Sequence, residues 1–227
     1  MSTFLQLVNQ LKNELGVEGS DLSTVAGQTG MYAKLIIWIA KANDEVISKH
    51  VDWNFRWKEH TENLVLDATG VAAPADLGGW DMESFCLDYG TSSYNQLDFK
   101  SYKKWRAEIG NAGAQSGTPS YVAVQPDGAL VFDAKLDAAH AFRAEYFYTP
   151  NTLSANDDTS IIPSLFHSML VERAKIWYAE EEGIPNLIRT ASTAYEAYLS
   201  NLEHQYLPGQ DGDRAAPASS HNEVHVV

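Results

Sequence analysis

Three short clusters in this 227-residue chain contain residue types that catalysis or metal binding requires. Residues 180–182 are three glutamates that offer an acid and a base, but consecutive positions on a helix point in different directions and normally face water. His221 and His225 have the i, i+4 spacing of a metal clamp without a third ligand, and residues 211–213 lack the other positions of a calcium loop. These clusters therefore predict no catalytic residue, no metal site and no cofactor.

The motifs that identify the most recognisable enzyme classes are absent from the sequence. It contains no P-loop, no dinucleotide-binding glycine fingerprint, no nucleophile elbow and no His-Glu-x-x-His zinc motif. An enzyme that uses scattered carboxylates, for example a hydrolase, stays an alternative because active sites also assemble from distant residues. We nevertheless expect a protein that is not an enzyme.

The charge and cysteine content indicate which partners to expect. Sixteen basic and thirty acidic residues give a formal net charge of −14, which argues against tight binding to nucleic-acid phosphates and suits a wall along which DNA slides. The single cysteine, Cys86, predicts assembly in a reducing cytosol and a buried thiol. The longest apolar run, residues 35–40, is too short to span a membrane.

Two aromatic or basic segments are candidates for contacts between subunits. Trp53, Phe55 and Trp57 share one face if their segment is extended, and together with Arg56 they are typical of an interface, although they could instead cover the end of a helical bundle. A second segment is basic and also contains Tyr102 and Trp105. Its members include Lys100, Lys103, Lys104 and Arg106. This segment could contact DNA or an acidic neighbour. In so acidic a chain, Lys103 and Arg106 are expected to contact another copy.

Apolar stripes at helical spacing predict two long helices before the middle of the chain and two after it. Candidate N-caps are Ser2, Thr3 and Thr29, and Gly16 and Gly183 lie where helices should end. The predicted extents are residues 3–16, 29–50, 165–182 and 184–206.

The middle of the chain has the short, β-branched and aromatic runs of strands. Pro126 and Gly128 predict a hairpin turn over residues 125–128. A short helix is expected as an insertion at residues 99–109. The predicted strands are residues 63–67, 84–89, 121–124, 129–132 and 140–148.

These elements predict an α+β fold that is mainly α, namely a four-helix bundle with a β-rich insertion between its helix pairs and a flexible C-terminal tail. Residues 1–60 would form the first helix pair and residues 61–155 the insertion with its short helix. Residues 156–206 would form the second pair and residues 207–227 the C-terminal extension. Residues 221–227 either add as a strand to another subunit or stay disordered without a role.

Several segments, in this order along the chain, resemble the head-to-tail adaptor, or connector, proteins of tailed bacteriophages. The segment from Gly27-Gln28-Thr29-Gly30 to Trp53-x-Phe55 is the most specific of them. The others are Phe4-Leu5-Gln6-Leu7-Val8, Thr24-Val25, Ile162-Pro163, Trp177-Tyr178-Ala179 and Gln205-Tyr206-Leu207-Pro208.

The resemblance implies a structural virion protein of the neck, assembled in the host cytoplasm. Many copies, commonly a dodecamer, would form a ring below the portal protein, contact a tail or nozzle protein on the other side and continue the DNA channel. No membrane partner is implied. Residues that would dock on the portal are Leu202, Tyr206, Leu207, Pro208, Val224, Val226 and Val227. Another neck or tail component, such as a completion or terminator protein, is the structural alternative.

Overall fold

The chain folds around two hydrophobic cores, one between helices and one between β-sheets. This is seen in a computed structural model that describes residues 1–88, 94–110 and 115–208. The helices are α1 (Phe4–Glu14), α2 (Gly30–Lys49), a single turn α3 (Tyr102–Trp105), α4 (His167–Glu182) and α5 (Pro185–Tyr206). We call α1, α2, α4 and α5 the helical part, and residues 57–148, which contain α3, the β part.

The ends of the long helices follow from local chemistry. Thr3 and Gln6 form a capping box at the start of α1, in which Thr3 Oγ1 accepts from the Gln6 N–H at 3.3 Å and Gln6 Oε1 accepts from the Thr3 N–H at 2.9 Å. Gly183 ends α4 with a left-handed φ of 69°. Pro185 then begins α5 at a position where its missing N–H costs nothing.

The helical core forms because each long helix buries one apolar stripe against the others. Leu7 and Leu11 of α1, Ile39 of α2, Leu170 of α4 and Leu202 of α5 are fully buried there. A buried hydrogen bond of 2.6 Å from Ser160 Oγ to Asn43 Oδ1 fixes α2 to the segment that leads into α4. The helical core therefore draws on both ends of the described chain.

The β part contains eleven short strands within the described residues. They are β1 (Trp57–Leu64), β2 (Gly70–Val71), β3 (Leu77–Trp80), β4 (Cys86–Asp88), β5 (Tyr94–Gln96), β6 (Asp98–Phe99), β7 (Gln115–Ser116), β8 (Tyr121–Val124), β9 (Leu130–Phe132), β10 (Ala134–Lys135) and β11 (His140–Tyr148). Most are too short to form a stable unit alone, so their stability depends on packing between sheets.

Two sheets enclose the β core. The first has the order β1-β11-β4-β5, with β3 also paired to β11, and the second has the order β2-β9-β8-β6. β10 and β7 form a separate parallel pair. β1 and β11 run antiparallel along all of β1, from Trp57 opposite Phe147 to Leu64 opposite His140. Phe142 of the first sheet and Phe132 of the second meet in the core with ring centroids 5.9 Å apart.

The predicted hairpin at residues 125–128 is confirmed. It joins β8 to β9, the Gly128 N–H donates to the Gln125 carbonyl at 2.9 Å, and Gly128 has a φ of 86° that a side chain would strain. The predicted strand at residues 63–67 is instead β1, which begins at Trp57. The predicted helix at residues 99–109 is only α3, followed by a π-helical turn over Arg106–Gly110.

The expectation of a mainly α fold built as a four-helix bundle is wrong. Five α-helices are present among the described residues, of which helical residues make up 42% and strands about 22% in several sheets. The physical reason is that the β residues bury an apolar core of their own, which makes the middle of the chain a folded body comparable to the helices and not an appendage of them. Most of the tail predicted as flexible, residues 209–227, lies outside the described residues.

Candidate assembly surfaces

The glutamates at residues 180–182 are the one of the three predicted clusters that the described residues contain. Residues 180–182 are exposed at the end of α4, where Glu181 forms an ion pair with Lys34 of α2, in agreement with a solvated face. No group of three or more His, Cys, Asp or Glu residues within residues 1–88, 94–110 and 115–208 could hold a metal. His221, His225 and residues 211–213 lie outside those ranges.

A second finding concerns membranes. No helix among the described residues is both long and apolar enough to cross one.

Trp53 lies in the helical core and not on the surface. It is completely buried, its Nε1 donates to the Val46 carbonyl at 3.2 Å, and its ring stacks on Phe55 at a centroid distance of 5.3 Å. Phe55 in turn meets Tyr206 of α5 edge-on at 5.8 Å. These rings close the end of the helical part, which was the alternative interpretation of the aromatic segment.

The alternation expected at Trp53, Phe55 and Trp57 is absent because the segment is not extended. Asn54–Arg56 form one 3-10 turn, which rotates successive side chains away from a common face. Trp53 and Arg56 therefore point into the subunit, Phe55 is partly buried, and only Trp57 is half exposed. Of the predicted interface residues in this segment, Trp57 is the most exposed.

Arg56 connects the helical part to the β part. Its Nε donates to the Tyr148 carbonyl at the end of β11 at 2.9 Å, and its Nη1 donates to the His50 carbonyl just after α2 at 3.2 Å. Burial lowers the pKa of the Arg56 guanidinium. A Cβ on Gly78 would lie 2.8 Å from Arg56 Nη2 and 2.8 Å from the Phe147 carbonyl oxygen, so only a glycine at position 78 leaves room for the Arg56 side chain. The contact fixes the two parts relative to each other.

Trp57 belongs to a solvent-facing surface of the first sheet, opposite the β core. Phe142 and Tyr146 of β11 point into the core, so the alternate residues Arg143, Glu145 and Phe147 point outward. Trp57 lies opposite Phe147, and its Nε1 donates to Glu145 Oε2 at 3.0 Å. The indole is thereby oriented on the surface, with half of its area exposed.

Further residues extend this surface across the sheet. Arg143 lies 3.8 Å from Glu59 of β1 and 5.7 Å from the ring of Tyr94 of β5. Tyr94 is 58% exposed. We call Trp57, Glu59, Tyr94, Arg143 and Glu145 the outer sheet face. Cys86 of β4 lies opposite Arg143 and is half-buried, and burial raises the pKa of its thiol.

The predicted basic segment projects from α3 on a rigid base. Tyr102 and Trp105 stack at a centroid distance of 5.8 Å, and Trp105 Nε1 donates to the Phe132 carbonyl of β9 at 3.1 Å. Lys103, Lys104 and Arg106 are exposed, and within the described residues none of them forms an ion pair. We call these three cations the α3 ridge. Lys100 is separate, because it pairs with Glu108 at 2.7 Å.

The residues predicted to dock on the portal divide into three groups. Leu202 is fully buried in the helical core, and Tyr206 is partly buried between Phe55 and Phe166. Leu207 is partly buried and Pro208 is exposed directly after α5. Val224, Val226 and Val227 lie outside the described residues. Of the described members, Pro208 is the one exposed to a partner.

Sequence reasoning missed two features of the surface. Glu59, Tyr94, Arg143 and Glu145 meet only through sheet pairing between distant strands, which no local pattern reveals. The second feature is an open groove lined by residues of α2, α4 and α5. In it, Arg173 forms a two-point ion pair with Glu45, with Nε to Oε1 at 3.0 Å and Nη2 to Oε2 at 3.1 Å. Arginine–glutamate pairs across helices leave no spacing signal within one helix.

The chain was compared with protein-family models and with curated proteins. A family model described as SU10 adaptor protein matches residues 2–222, which is nearly the whole chain. No curated protein matches it.

Proposed function

The chain belongs to the SU10 adaptor protein family of phage structural proteins, and on this premise we propose that it forms a ring below the portal that links the capsid to the tail. The observation that supports the proposal most is the family match over residues 2–222, since it includes both the helical and the β parts. The earlier resemblance to head-to-tail adaptors agrees with this family.

The proposed ring continues the channel through which DNA leaves the capsid. A formal charge of −14 supports this role because an acidic wall repels phosphates and lets DNA slide without binding. The chain would accordingly contact DNA without reading its sequence. It would act in the neck of the virion after assembly in the host cytoplasm, and catalysis is not part of the proposal.

We propose that four segments of the chain have different roles in the assembly. Residues 1–60 and 156–206 contribute mainly a rigid helical frame. Residues 61–155, together with Trp57 and Glu59 of β1, present surfaces to neighbouring copies. Residues 207–227 reach the portal, with Leu207, Pro208, Val224, Val226 and Val227 in contact with it. Leu202 and Tyr206 support that segment from the end of α5, since both pack inside the subunit. The Arg56 contacts support the idea that the frame and the β part move as one body.

Co-sedimentation with portal rings tests the portal partner. Purified full-length chain is mixed with the portal protein of the same phage, and the mixture is separated by sedimentation velocity. The proposal expects the chain to migrate with the portal in a fixed ratio of many copies. A chain that sediments alone at micromolar concentrations, but joins an isolated tail tube, would favour a completion or terminator protein instead.

A further inference from the structure

The α3 ridge and the outer sheet face lie on opposite sides of the β core. Val122 of β8 points into that core, so its neighbour Ala123 points to the far side of the second sheet. Ala123 is nevertheless fully buried, and Trp105 of α3 donates to the backbone of β9, the strand paired with β8. Thus α3 packs on the side of the second sheet that faces away from the β core. The outer sheet face is the side of the first sheet that faces away from the same core.

The two surfaces are complementary in charge and chemistry. The ridge offers two lysines and one arginine without ion pairs among the described residues. The outer sheet face offers the carboxylates of Glu59 and Glu145 beside the exposed rings of Trp57 and Tyr94. Its one cation, Arg143, already lies next to Glu59 and the Tyr94 ring. Carboxylates beside aromatic faces bind arginine and lysine through ion pairs and cation–π contacts.

We propose that the α3 ridge of one copy of this chain docks on the outer sheet face of a second copy. The occupant is a second copy because both surfaces are present on every chain and a net charge of −14 otherwise makes copies repel each other. Surfaces on opposite sides of one body form a head-to-tail contact, which repeats from copy to copy and closes into a ring when the rotation allows. The inference rests on the proposed function and gives its ring a specific contact.

Both surfaces are rigid enough for such a contact. Trp105 fixes α3 to β9, and the Glu145 carboxylate holds the Trp57 indole by the 3.0 Å hydrogen bond. Little side-chain freedom is therefore lost at these anchors on docking. Arg106 and Trp57 are the residue types that contribute most at interfaces, so they are the expected centre of the contact.

Charge reversal on one face at a time tests the proposal. A ridge variant has Lys103→Glu with Arg106→Glu, and a sheet variant has Glu59→Lys with Glu145→Lys. Self-association of each full-length chain is measured by sedimentation velocity over a concentration series, and circular dichroism melting curves establish that each variant is folded. Each variant alone should associate at least about tenfold more weakly than the original chain, because like charges then face each other.

Mixing the two variants provides the decisive result. In an equimolar mixture, the basic α3 ridge of the sheet variant can dock on the acidic outer sheet face of the ridge variant. The acidic ridge of the ridge variant can likewise dock on the basic sheet face of the sheet variant. Association should therefore return to within about threefold of the original chain, a margin set by imperfect contact geometry. A mixture that stays as weak as either variant, or variants that associate like the original chain, would overturn the proposal.

A matched control separates this contact from a general change of charge. Lys34→Glu with Arg189→Glu changes the net charge by the same amount as the ridge variant does, at two exposed positions of the helical part. This control should associate like the original chain. The measurement uses no portal, so it is independent of the proposed function. A chain that associates through these faces but never joins the portal would contradict the proposed portal partner alone.

Discussion

Arg56 and Tyr148 join the helical part of the subunit to its β part through a hydrogen bond of 2.9 Å from Arg56 Nε to the Tyr148 carbonyl oxygen. The same guanidinium donates to the His50 carbonyl at 3.2 Å, so one buried side chain satisfies acceptors from both parts. Acceptors left without a donor in a buried place cost free energy, which makes this side chain important for the relative position of the two parts.

Replacement of Arg56 by methionine should therefore destabilise the chain. Loss of the donors leaves the Tyr148 and His50 carbonyls unsatisfied, and we expect the free energy of unfolding to fall by about 2–4 kcal/mol. Chemical denaturation monitored by circular dichroism measures the change. Arg189→Met, at an exposed position of α5, should change stability by less than about 0.5 kcal/mol. Equal effects of the two substitutions would contradict the assigned role of Arg56.

Trp53 and Trp57 should respond differently to replacement by alanine, although they are close in sequence. Trp53 is fully buried, so Trp53→Ala should lower the free energy of unfolding by about 3–5 kcal/mol. Trp57 is half exposed, so Trp57→Ala should cost less than about 1 kcal/mol and mainly weaken association between copies. Melting curves and sedimentation velocity on both variants separate these effects. A Trp57 variant that loses as much stability as the Trp53 variant would place the Trp57 ring in the core.

His167 should make the stability of the chain depend on pH below neutrality. Burial lowers the pKa of His167, although the hydrogen bond to the Ile162 carbonyl at 2.9 Å opposes this, and the buried Nδ1 has no partner within the described residues. With its folded-state pKa below the unfolded value, neutral His167 contributes fully above about pH 6.5, the ordinary pKa of histidine. That contribution is lost as pH falls through the folded-state pKa, by at most about 1.4 kcal/mol per pH unit.

His167→Gln keeps an N–H donor for Ile162 and removes the titration. Denaturation of both chains between pH 7.5 and about pH 5, a range chosen around the ordinary pKa of histidine, measures the difference in unfolding free energy. This difference should change with pH in the direction that favours the glutamine variant in acid. A constant difference across the range would show that His167 does not titrate between the folded and unfolded states.

Removal of residues 208–227 tests the proposed portal contact of the C-terminal extension. The deletion leaves all buried residues of α5 in place, so the melting temperature of the chain should change little. The truncated chain should no longer sediment with portal rings. The portal-bound fraction of full-length and truncated chains, compared at equal concentration, provides the measurement. A truncated chain that still joins the portal would assign the contact to another part of the subunit.

The long helices and one hairpin were predictable from the sequence because their signals are local. Thr3 and Gln6 cap α1 through a spacing of three residues, and Gly183 with Pro185 marks the boundary between α4 and α5. Pro126 and Gly128 specify the turn between β8 and β9 in the same way. Each of these signals lies within a few residues of the feature that it predicts.

The proportion of helix to strand and the assembly surfaces were not predictable, because they depend on contacts between residues that are distant in the sequence. β1 is polar along most of its length and is stabilised mainly by pairing with β11, about eighty residues away, so its own sequence resembles a loop. Strands of two or three residues, such as β2 and β6, are too short for any period to be recognised. The outer sheet face combines residues of β1, β5 and β11, which lie far apart in the sequence. The alternating pattern around Trp53 puts its rings on one face only if the segment is extended, whereas a 3-10 turn forms there.

Electron microscopy of the full-length chain mixed with the portal protein tests the central claim most directly. Portal alone and chain alone serve as controls, and averaged side views locate any added density. The account predicts an additional ring of the chain, stacked on the narrow end of the portal with an open channel along the shared axis. Portal particles that look the same with and without the chain, at concentrations well above micromolar, would contradict the assignment of this protein as the adaptor below the portal.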